Sequence, residues 1–410
     1  MTQAPPTDGA NKPLTGIRIL AIEQMQALPF ATQLLARLGA DVVKIESISG
    51  GDQARGSLPA MADPQGRSVG ATFLRNNLSK RSVCINLKTP AGRDLVLRLA
   101  TAFDVVAENG RPGSMARLGL GYGDIAAVNP RCIYTSVSGF GNTVETPYRE
   151  WPAYAPVVEA MSGLYEMKRQ EGQPPQPAPA GALGDIGAAL FATIGILAAL
   201  RHRDMTGAGQ YVDIAMLDSV VAMTDIITNF WSMGASARTV GQLILRGFQA
   251  KDGRFMLQVG REHQFERLAR LIGHPEWLQD PRLASRQGWI DHMDDVLVPA
   301  IEGWAATMTK LEACDVLAGA GIAAGPCLRD DEVARDPHLA ARQMLVSIER
   351  PDQPDRPVLV PASPVRMSAL SSEPDTPVPW LGQHTDEVLA AELGLAPDEL
   401  AALRAQQVIA

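Results

Sequence analysis

The residue with the clearest chemical potential is Asp185, which directly precedes the apolar segment Ile186–Leu200. An aspartate before an apolar helix is a favoured N-cap, because its carboxylate accepts hydrogen bonds from backbone N–H groups that the helix leaves free. The same helix end favours an ionised carboxylate, and an ionised carboxylate is a nucleophile. From residue chemistry alone the cap is the favoured interpretation and the nucleophile is the alternative.

Two glycines, Gly184 and Gly187, flank this aspartate. Residues this small leave room for a bulky acyl group beside the carboxylate. They also leave backbone N–H groups free to stabilise an oxyanion, which forms when a nucleophile attacks an acyl carbon. The glycines therefore fit the nucleophile interpretation.

Motifs for other chemistry are missing from the sequence. There is no G-x-S-x-G serine elbow and no P-loop, and the six histidines have no HExxH or other metal-ligand spacing. Gly319–Ala324 fits the dinucleotide-binding pattern G-x-G-x-x-A, but it follows a helical segment, and Gly325-Pro326 interrupts the chain where the next helix must begin. We interpret it as a loop that ends a helix. No metal or redox cofactor is expected.

The composition is that of an ordinary globular protein, since 46% of the 410 residues are hydrophobic and 20% are charged. The net charge of −8, with no basic stripe, argues against nucleic acid as a partner. The four cysteines include no CxxC pair, which argues against a disulfide framework. The N-terminus lacks a signal-peptide pattern, and Ile186–Leu200 is shorter than the roughly 20 residues of a membrane span. We expect a cytoplasmic protein that does not bind membranes.

The first half of the chain alternates strand and helix patterns. Ile17–Ile22 and Asp41–Glu46 are apolar strand candidates, and Phe30–Leu38 between them has helical spacing. This β-α-β order implies parallel strands with a right-handed crossover. Later strand candidates continue the alternation, at Ser82–Leu87, Asp104–Ala107, Cys132–Val137 and Tyr211–Met216. The predicted fold is α/β, a doubly wound and mostly parallel sheet of Rossmann-like type.

The length of the chain and the change of pattern along it indicate more than one domain. Residues 1–225 form the large α/β domain in this prediction. Residues 226–340 form a smaller α+β domain, because Lys251–Gly253 is a turn signal between strand-like segments and several short amphipathic helices follow. Residues 341–410 are expected to return to the large domain.

Basic residues near the predicted strand ends suggest a site for a phosphorylated ligand. Lys88 follows the strand candidate Ser82–Leu87, and Arg117 follows the segment Glu108–Gly113. Open α/β sheets bind ligands at the carboxyl ends of their strands. Ordinary solvated charge is the alternative for each of these residues.

Eight short segments share their order and spacing with a known family: Leu14–Leu20, Leu38–Glu46, Ser79–Ser82, Leu87–Gly92, Glu108–Gly113, Thr206–Gln210, Gly321–Pro326 and Leu381–Thr385. Each segment is a modest signal, and their common order is specific. In these segments the chain resembles the class III CoA-transferases, which include formyl-CoA transferase, carnitine CoA-transferase and α-methylacyl-CoA racemase. The resemblance covers nearly the whole chain.

The resemblance implies that Asp185 is the catalytic nucleophile, which changes the preferred interpretation of that residue. It also implies that the large domain binds coenzyme A through ten residues: Gln24, Met25, Gln26, Ala27, Ile85, Leu87, Lys88, Asn109, Gly110 and Arg117. Lys88 and Arg117 are expected to contact phosphates, and Gln26 to lie close to the nucleophile. The implied substrates are an acyl-CoA and a carboxylic acid, with no prosthetic group, and the implied assembly is an interlocked homodimer.

The chain departs from the family pattern at several positions. Leu28 replaces a usual glycine near the CoA site, Ala155 replaces the aspartate of a Pro-Ala-Tyr-Asp motif, and Glu159 stands where a glutamine is usual. The segment Val240–Gly247 lacks the usual glycine-rich or His-Pro loop beside the substrate. Within this segment, Arg246 is a candidate partner for the carboxylate of the acceptor acid, and a surface position is the alternative.

These features predict an acyl-CoA:carboxylate CoA-transferase that works through an aspartyl anhydride and an aspartyl-CoA thioester at Asp185. An α-methylacyl-CoA racemase or isomerase on the same fold is one alternative. That chemistry needs an acid/base pair, and Tyr154-Ala155 replaces its His-Asp. A catalytically silent CoA-binding subunit is the other alternative, because of the departures at Leu28 and Ala155. Small dicarboxylates are the expected acids.

Overall fold

The computed structural model describes residues 12–167, 169, 172–177, 181–235, 243–368 and 375–410. The chain divides into two compact units. The first comprises Met1–Met233 and Ala341–Ala410, and the second comprises Gly234–Ala340. Each unit has its own hydrophobic core.

A parallel sheet of six strands is the centre of the first unit. The strands before residue 233 are β1 (Arg18–Ile22), β2 (Asp41–Glu46), β3 (Ala60–Ala62), β4 (Ser68–Gly70), β5 (Lys80–Cys84), β6 (Val105–Glu108), β7 (Ile133–Ser138) and β8 (Tyr211–Ala215). β3 and β4 pair as a short antiparallel ribbon. The other six strands form the sheet in the order β5-β2-β1-β6-β7-β8, with every neighbour parallel. The predicted parallel α/β sheet is confirmed.

The direction in which the sheet grows reverses between β1 and β6. From β1 the chain builds outward through β2 to β5, and then returns to place β6 on the other side of β1 before it continues to β7 and β8. In open α/β sheets, ligands bind at the carboxyl ends of the strands at such a point. The topology therefore indicates a site at the loops that follow Ile22 of β1 and Glu108 of β6.

Helices cover both faces of the sheet, as a doubly wound fold requires. Before residue 233 they are α1 (Ala27–Arg37), α2 (Ala71–Asn76), α3 (Pro90–Ala100), α4 (Ser114–Arg117), α5 (Tyr122–Val128), α6 (Ala155–Met161), α7 (Leu164–Met167), α8 (Leu183–Thr206), α9 (Met216–Met223) and α10 (Asp225–Ser232), with a 3₁₀ helix at Gln53–Gly56. On one face, Ala31 of α1 packs in a cluster with Ala188 and Ala192 of α8. On the other face, Leu95 and Leu99 of α3 belong to a separate cluster.

The helix α8, which carries Asp185, spans 24 residues and ends at Gly207, whose φ of 79° forms a left-handed C-cap. Small buried residues such as Ala189 and Ala192 let it pack closely against α1 in the core. By length and composition, α8 is also the one helix in the described part of the chain that meets the criteria for a membrane span. A core helix of a globular protein meets the same criteria, and one face of α8 packs in the core of the first unit while Leu190 and Ile194 on the helix are exposed.

The second unit contains a three-stranded antiparallel sheet of order β11-β10-β9. Its elements are β9 (Ile244–Ala250), β10 (Gly253–Val259), α11 (Glu262–Leu271), α12 (Arg286–Asp291), α13 (Val298–Ala305), α14 (Lys310–Gly319), β11 (Ala323–Pro326), α15 (Asp330–Val333) and α16 (Pro337–Ala341), with 3₁₀ turns at Pro275–Leu278 and Pro281–Leu283 and a π turn at Met293–Leu297. The Gly319–Ala324 segment does end a helix, but the loop is shorter than predicted: Gly319 is the last residue of α14, residues 320–322 form the connection, and Ala323 and Ala324 belong to β11. In the core, the ring of Phe265 stacks on Trp277 and Trp289.

The chain from Ala341 onward packs on the first unit. Its elements are β12 (Leu345–Ile348), β13 (Val358–Pro361), α17 (Thr385–Leu393) and α18 (Pro397–Ala405). Val388 of α17 and Leu400 of α18 join the cluster that covers the second face of the parallel sheet. The backbone N–H of Cys84 in β5 donates to Thr385 Oγ1 at 3.1 Å, which joins α17 to the edge of the sheet.

Candidate active site

A cavity of about 220 Å³ lies at the strand ends of the parallel sheet and includes Asp185 in its wall. The wall comes from the loops after β1 and β6, the end of β7 and the loop after it, the 3₁₀ helix Gln53–Gly56, the residues that precede α6, and the first turns of α1, α8 and α9. The lining residues are Gln24, Met25, Gln26, Ala27, Gln53, Asn109, Gly110, Arg111, Pro112, Val137, Ser138, Gly139, Trp151, Pro152, Ala153, Tyr154, Asp185 and Met216. Among these described residues, Asp185 is the one carboxylate and Arg111 is the one cation, so the remainder of the wall is neutral.

A second cavity, of about 320 Å³, lies along the ends of β1, β2, β5 and β6. It shares Gln24, Asn109 and Gly110 with the first cavity, so the two are adjacent. Together they form a groove across the switch point of the sheet, with Asp185 in one part. Such a position and size are typical of small-molecule sites.

Nine of the ten residues predicted to bind CoA line these two cavities. Met25, Gln26 and Ala27 line the first, Ile85, Leu87 and Lys88 line the second, and Gln24, Asn109 and Gly110 line both. The tenth, Arg117, is exposed on α4 and is not among the lining residues. Its guanidinium donates to the carbonyl of Pro112 at 3.5 Å. The contact of these residues with CoA remains a prediction.

The loop after β1 is held by side chains from two other elements. The backbone N–H of Gln24 donates to Asn109 Oδ1 at 2.9 Å, and Asn109 Nδ2 donates back to the carbonyl of Gln24 at 2.9 Å. Met25 has a φ of 64°, in the left-handed region that disfavours side chains, and its N–H donates to Asp52 Oδ1 at 2.8 Å. These bonds hold Gln26 at the start of α1, in the wall that also contains Asp185.

A fully buried group of charged side chains holds the residues that bind this loop. Lys44 Nζ lies 2.7 Å from Asp52 Oδ2, and Lys80 Nζ lies 2.7 Å from Glu23 Oε1. Although burial opposes its charge, Lys80 and Lys44 hold the pKa of Glu23 below its ordinary value. Burial lowers the pKa of Lys80 to about 8, and Glu23 opposes that shift. Breaking such a pair would leave a buried charge uncompensated, so the network constrains the position of the loop.

Asp185 is the third residue of α8 and does not cap it. The N-cap position is Ala182, which has no side-chain hydrogen bond to the helix. The capping interpretation of Asp185 is therefore wrong. The helix begins two residues before the aspartate, and the half-buried carboxylate lines the cavity instead.

Glu159 of α6 supplies the cap that Asp185 does not. Its Oε1 accepts a hydrogen bond from the backbone N–H of Gly184 at 3.0 Å, and its Oε2 accepts one from Tyr165 Oη at 2.6 Å. The residue is 2% exposed and is not among those that line the cavity. A buried carboxylate therefore occupies the electropositive end of α8 directly behind the candidate nucleophile.

The flanking glycines allow α8 to pack closely, which differs from the prediction made for them. A Cβ on Gly184 would lie 2.7 Å from Val158 Cγ2, and a Cβ on Gly187 would lie 2.4 Å from Met223 Cε. Both sites face neighbouring helices instead of open space for an acyl group. The N–H of Gly184 is bound to Glu159, so it is not free for an oxyanion.

The electrostatics of Asp185 also differ from the prediction. Burial, and after it the negative charge of Glu159, raise the pKa of Asp185 to about 6. A helix N-terminus was expected to favour the ionised form, but a second carboxylate already occupies that end. Asp185 is therefore a more basic carboxylate than an ordinary aspartate and is still mostly ionised at neutral pH.

The departures at Leu28 and Ala155 do not obstruct the cavity. Leu28 is fully buried in the core cluster beneath α1 and is not a lining residue. Ala155 is buried at the start of α6, one helical turn before Glu159. Tyr154 beside it is 69% exposed and lines the cavity.

Arg246 lies in β9 of the second unit, where its guanidinium donates to Asp294. Its proposed contact with an acid substrate remains a prediction. The first residues of the Val240–Gly247 segment, 240–242, lie outside the described residues. No group of three metal-ligating side chains occurs in the described part of the chain.

Two charged features of the site were not predicted from the sequence. One is Arg111, which lines the first cavity. Its position after a predicted strand, within the Glu108–Gly113 segment, could have indicated that it lies at the site. The other is the buried group of charges below the loop after β1. Lys44 and Glu46 are charged residues inside the otherwise apolar strand β2, and this pattern could have indicated buried ion pairs.

Comparison with known proteins confirms the resemblance. The chain matches CoA-transferase family III over residues 14–385. It is 34% identical to succinyl-CoA–D-citramalate CoA-transferase of Chloroflexus aurantiacus, with 100% of both chains covered, and 33% identical to formyl-CoA:oxalate CoA-transferase of Streptomyces avermitilis, with 97% of this chain and 100% of that protein covered. A solved CAIB/BAIF family protein from Brucella suis is similar with a TM-score of 0.82 at 30% identity, over 93% of this chain and 100% of that one. The chain belongs to CoA-transferase family III and is a CoA-transferase.

Proposed function

We propose that this enzyme transfers CoA between an acyl-CoA and a carboxylic acid through covalent intermediates on Asp185. The observation that carries the proposal is the position of Asp185, a carboxylate of raised pKa in the wall of an otherwise nearly neutral cavity at the switch point of the sheet. A carboxylate nucleophile must be ionised and must be accessible to the acyl carbon. Asp185 meets both requirements at neutral pH.

The transfer proceeds in four balanced steps. The Asp185 carboxylate attacks the thioester carbonyl of the donor, which gives a mixed anhydride and the CoA thiolate. The thiolate attacks the aspartyl carbonyl, which gives an aspartyl-CoA thioester and releases the donor acid as its carboxylate. The acceptor carboxylate then attacks this thioester, which forms a second anhydride and again the thiolate. Attack of the thiolate on the acceptor carbonyl gives the new acyl-CoA and restores the Asp185 carboxylate.

The groove beside Asp185 is suited to the CoA portion. The second cavity is lined by Ile85, Leu87 and the exposed ammonium of Lys88, and it joins the first at Asn109 and Gly110. We assign the phosphate-bearing part of CoA to the second cavity and the thioester to the first. Gln26 has no side-chain hydrogen bond in the described part of the chain, so its amide is available to the oxygen of the attacked carbonyl.

Small dicarboxylic acids are the proposed substrates. The two curated relatives compared above are named for succinyl-CoA and citramalate and for formyl-CoA and oxalate. A cavity of about 220 Å³ is smaller than typical drug-sized pockets, which suits acids of a few carbons. A homodimer in the cytoplasm remains part of the proposal, and sedimentation of the purified protein tests the dimer.

The racemase alternative is less well supported by the site. It needs a second acid/base group facing the substrate. Glu159, the carboxylate whose charge acts on Asp185, is buried and bonded to Gly184 and Tyr165. Tyr154 and Ala155 supply no carboxylate or imidazole to the wall.

The test is an exchange assay with labelled CoA, an acyl-CoA and its parent acid. We expect the wild type to exchange the label and Asp185→Asn to lose the exchange, while Arg98→Ala, an exposed change on α3 outside both cavities, keeps it. Exchange of the α-proton with solvent and no exchange of CoA would favour the racemase. Tight binding of CoA with neither reaction would identify a silent subunit.

A further inference from the structure

The guanidinium of Arg111 has no protein partner in the described part of the chain. Its backbone carbonyl accepts from the N–H of Ser114 at 2.9 Å, and its loop is fixed by the Asn109–Gln24 pair and by the bond from the Gly110 N–H to Glu108 Oε2 at 2.7 Å. The side chain itself, which is exposed, makes no hydrogen bond or ion pair to a described residue. The loop held by these bonds thus brings to the wall of the cavity an arginine whose side chain has no partner among the described residues.

Arg111 and Asp185 line the same cavity but do not form an ion pair. They come from different elements, the loop after β6 and the first turn of α8, and both line the same open cavity of about 220 Å³. This arrangement suits a molecule with a reacting end at Asp185 and a permanently charged end at Arg111. A guanidinium pairs with a carboxylate through two parallel hydrogen bonds, which fixes orientation as well as charge.

We propose that Arg111 is the specificity-determining residue that binds the non-reacting carboxylate of a dicarboxylic acid. The inference rests on the proposed function and identifies the group that selects its substrates. That carboxylate stays ionised through all four steps, because only the other carboxyl group becomes an anhydride or thioester. Arg111 therefore contributes equally to ground state and transition state, and its loss raises KM more than it lowers kcat.

Arg111 also offsets the repulsion between Asp185 and an anionic acid. Both reactants carry negative charge, and no other lining residue of this cavity is cationic. A phosphate of CoA is the competing anion for the guanidinium. The phosphates lie at the opposite end of CoA from the sulfur, whereas Arg111 shares its cavity with the nucleophile, which favours the acid.

The test compares succinate with butyrate, which has the same number of carbons and one carboxylate. With one acyl-CoA donor, Arg111→Gln is expected to lower kcat/KM for succinate about fivefold, mainly through KM, and to leave butyrate within about twofold. Arg111→Lys is expected to recover part of the loss. An equal loss for both acids, or a raised KM for the donor with the preference for succinate intact, would overturn the assignment.

A binding measurement separates this inference from the proposed chemistry. Calorimetry with the Asp185→Asn protein requires no turnover, and we expect succinate to bind it and the added Arg111→Gln change to weaken that binding about fivefold. No difference between the two proteins would refute the role of Arg111 whatever the fate of the covalent mechanism. If the wild type shows no CoA exchange but the two variants still differ in their affinity for succinate, the covalent mechanism is refuted and the binding site is not.

Discussion

Glu159 Oε1 accepts a hydrogen bond from the backbone N–H of Gly184 at 3.0 Å, so the cap of helix α8 comes from a different helix. This contact leaves the carboxylate of Asp185, the next residue, free to line the cavity. It also places a second negative charge behind Asp185, the proposed nucleophile. The position of Glu159 thus determines both the exposure of Asp185 to the cavity and its electrostatic environment.

The first prediction concerns the charge of Glu159. In Glu159→Gln the amide oxygen can still accept from Gly184, but the negative charge is gone. We expect the pKa of Asp185 to fall below about 6, while burial keeps it above the ordinary aspartate value. The acidic limb of the profile of kcat/KM against pH should therefore move to lower pH. A limb that stays in place would show that Glu159 does not tune Asp185.

The matched variant Glu159→Ala tests the cap separately from the charge. It leaves the N–H of Gly184 buried without an acceptor, which costs about 1–3 kcal/mol of folding free energy. We expect a lower urea midpoint than for Glu159→Gln. Equal midpoints would mean that water or another group caps the helix.

The second prediction concerns the cost of keeping Asp185 ionised. Because its folded pKa is raised to about 6, the folded state binds more protons than the unfolded chain between about pH 4 and 6, and this group lowers stability as the pH rises through that window. Asp185→Asn removes the cost. It should be inactive but more resistant to urea at pH 7.5, by on the order of 2 kcal/mol. The difference in the free energy of unfolding between Asp185→Asn and the wild type should become smaller toward pH 4.5. A difference that does not change with pH would contradict the raised pKa of Asp185.

The third prediction concerns Leu28, the departure nearest the CoA site. Since its side chain is buried in the core and does not line either cavity, Leu28→Ala should destabilise the protein by about 2–5 kcal/mol through a core cavity. The KM for acyl-CoA should stay unchanged at a temperature where the variant is folded. A large change in KM would place Leu28 in the binding site after all.

The fourth prediction concerns the exposed cation of the second cavity. Lys88→Ala should raise the KM for acyl-CoA about fivefold, as expected from an exposed ion pair of roughly 1 kcal/mol with a phosphate. The effect should shrink at high salt. Arg98→Ala on α3, whose exposed side chain lies beside Asp94, is the control and should leave KM unchanged. If Lys88→Ala and Arg98→Ala raise the KM equally, the effect comes from the overall charge of the protein and not from a specific contact of Lys88 with a phosphate.

The sheet was predictable because its signals are local. The strand at Asp41–Glu46 matches its predicted bounds, and the helix before it, α1, was found with its start misplaced by three residues. Loops after parallel strands converge at one edge, so Gln24 and Asn109 meet there although they are far apart in sequence.

The electrostatics of the site were not predictable in the same way. A residue before an apolar run normally caps it, and nothing local shows that Glu159 reaches the helix end from α6. Whether Arg246 is free to bind a substrate also depends on tertiary pairing, because its guanidinium donates to Asp294. Such contacts depend on which helices pack together, a property that no short segment contains.

The most direct measurement of the central claim is a search for the acylated nucleophile. The protein is incubated with succinyl-CoA and hydroxylamine, digested, and analysed by peptide mass spectrometry, with free CoA in place of the thioester as the control. An aspartyl hydroxamate at Asp185 that depends on the thioester, and that is absent from Asp185→Asn, is the predicted result. An enzyme that turns over succinyl-CoA while Asp185 stays unmodified, or that carries the hydroxamate on another residue, would contradict the account.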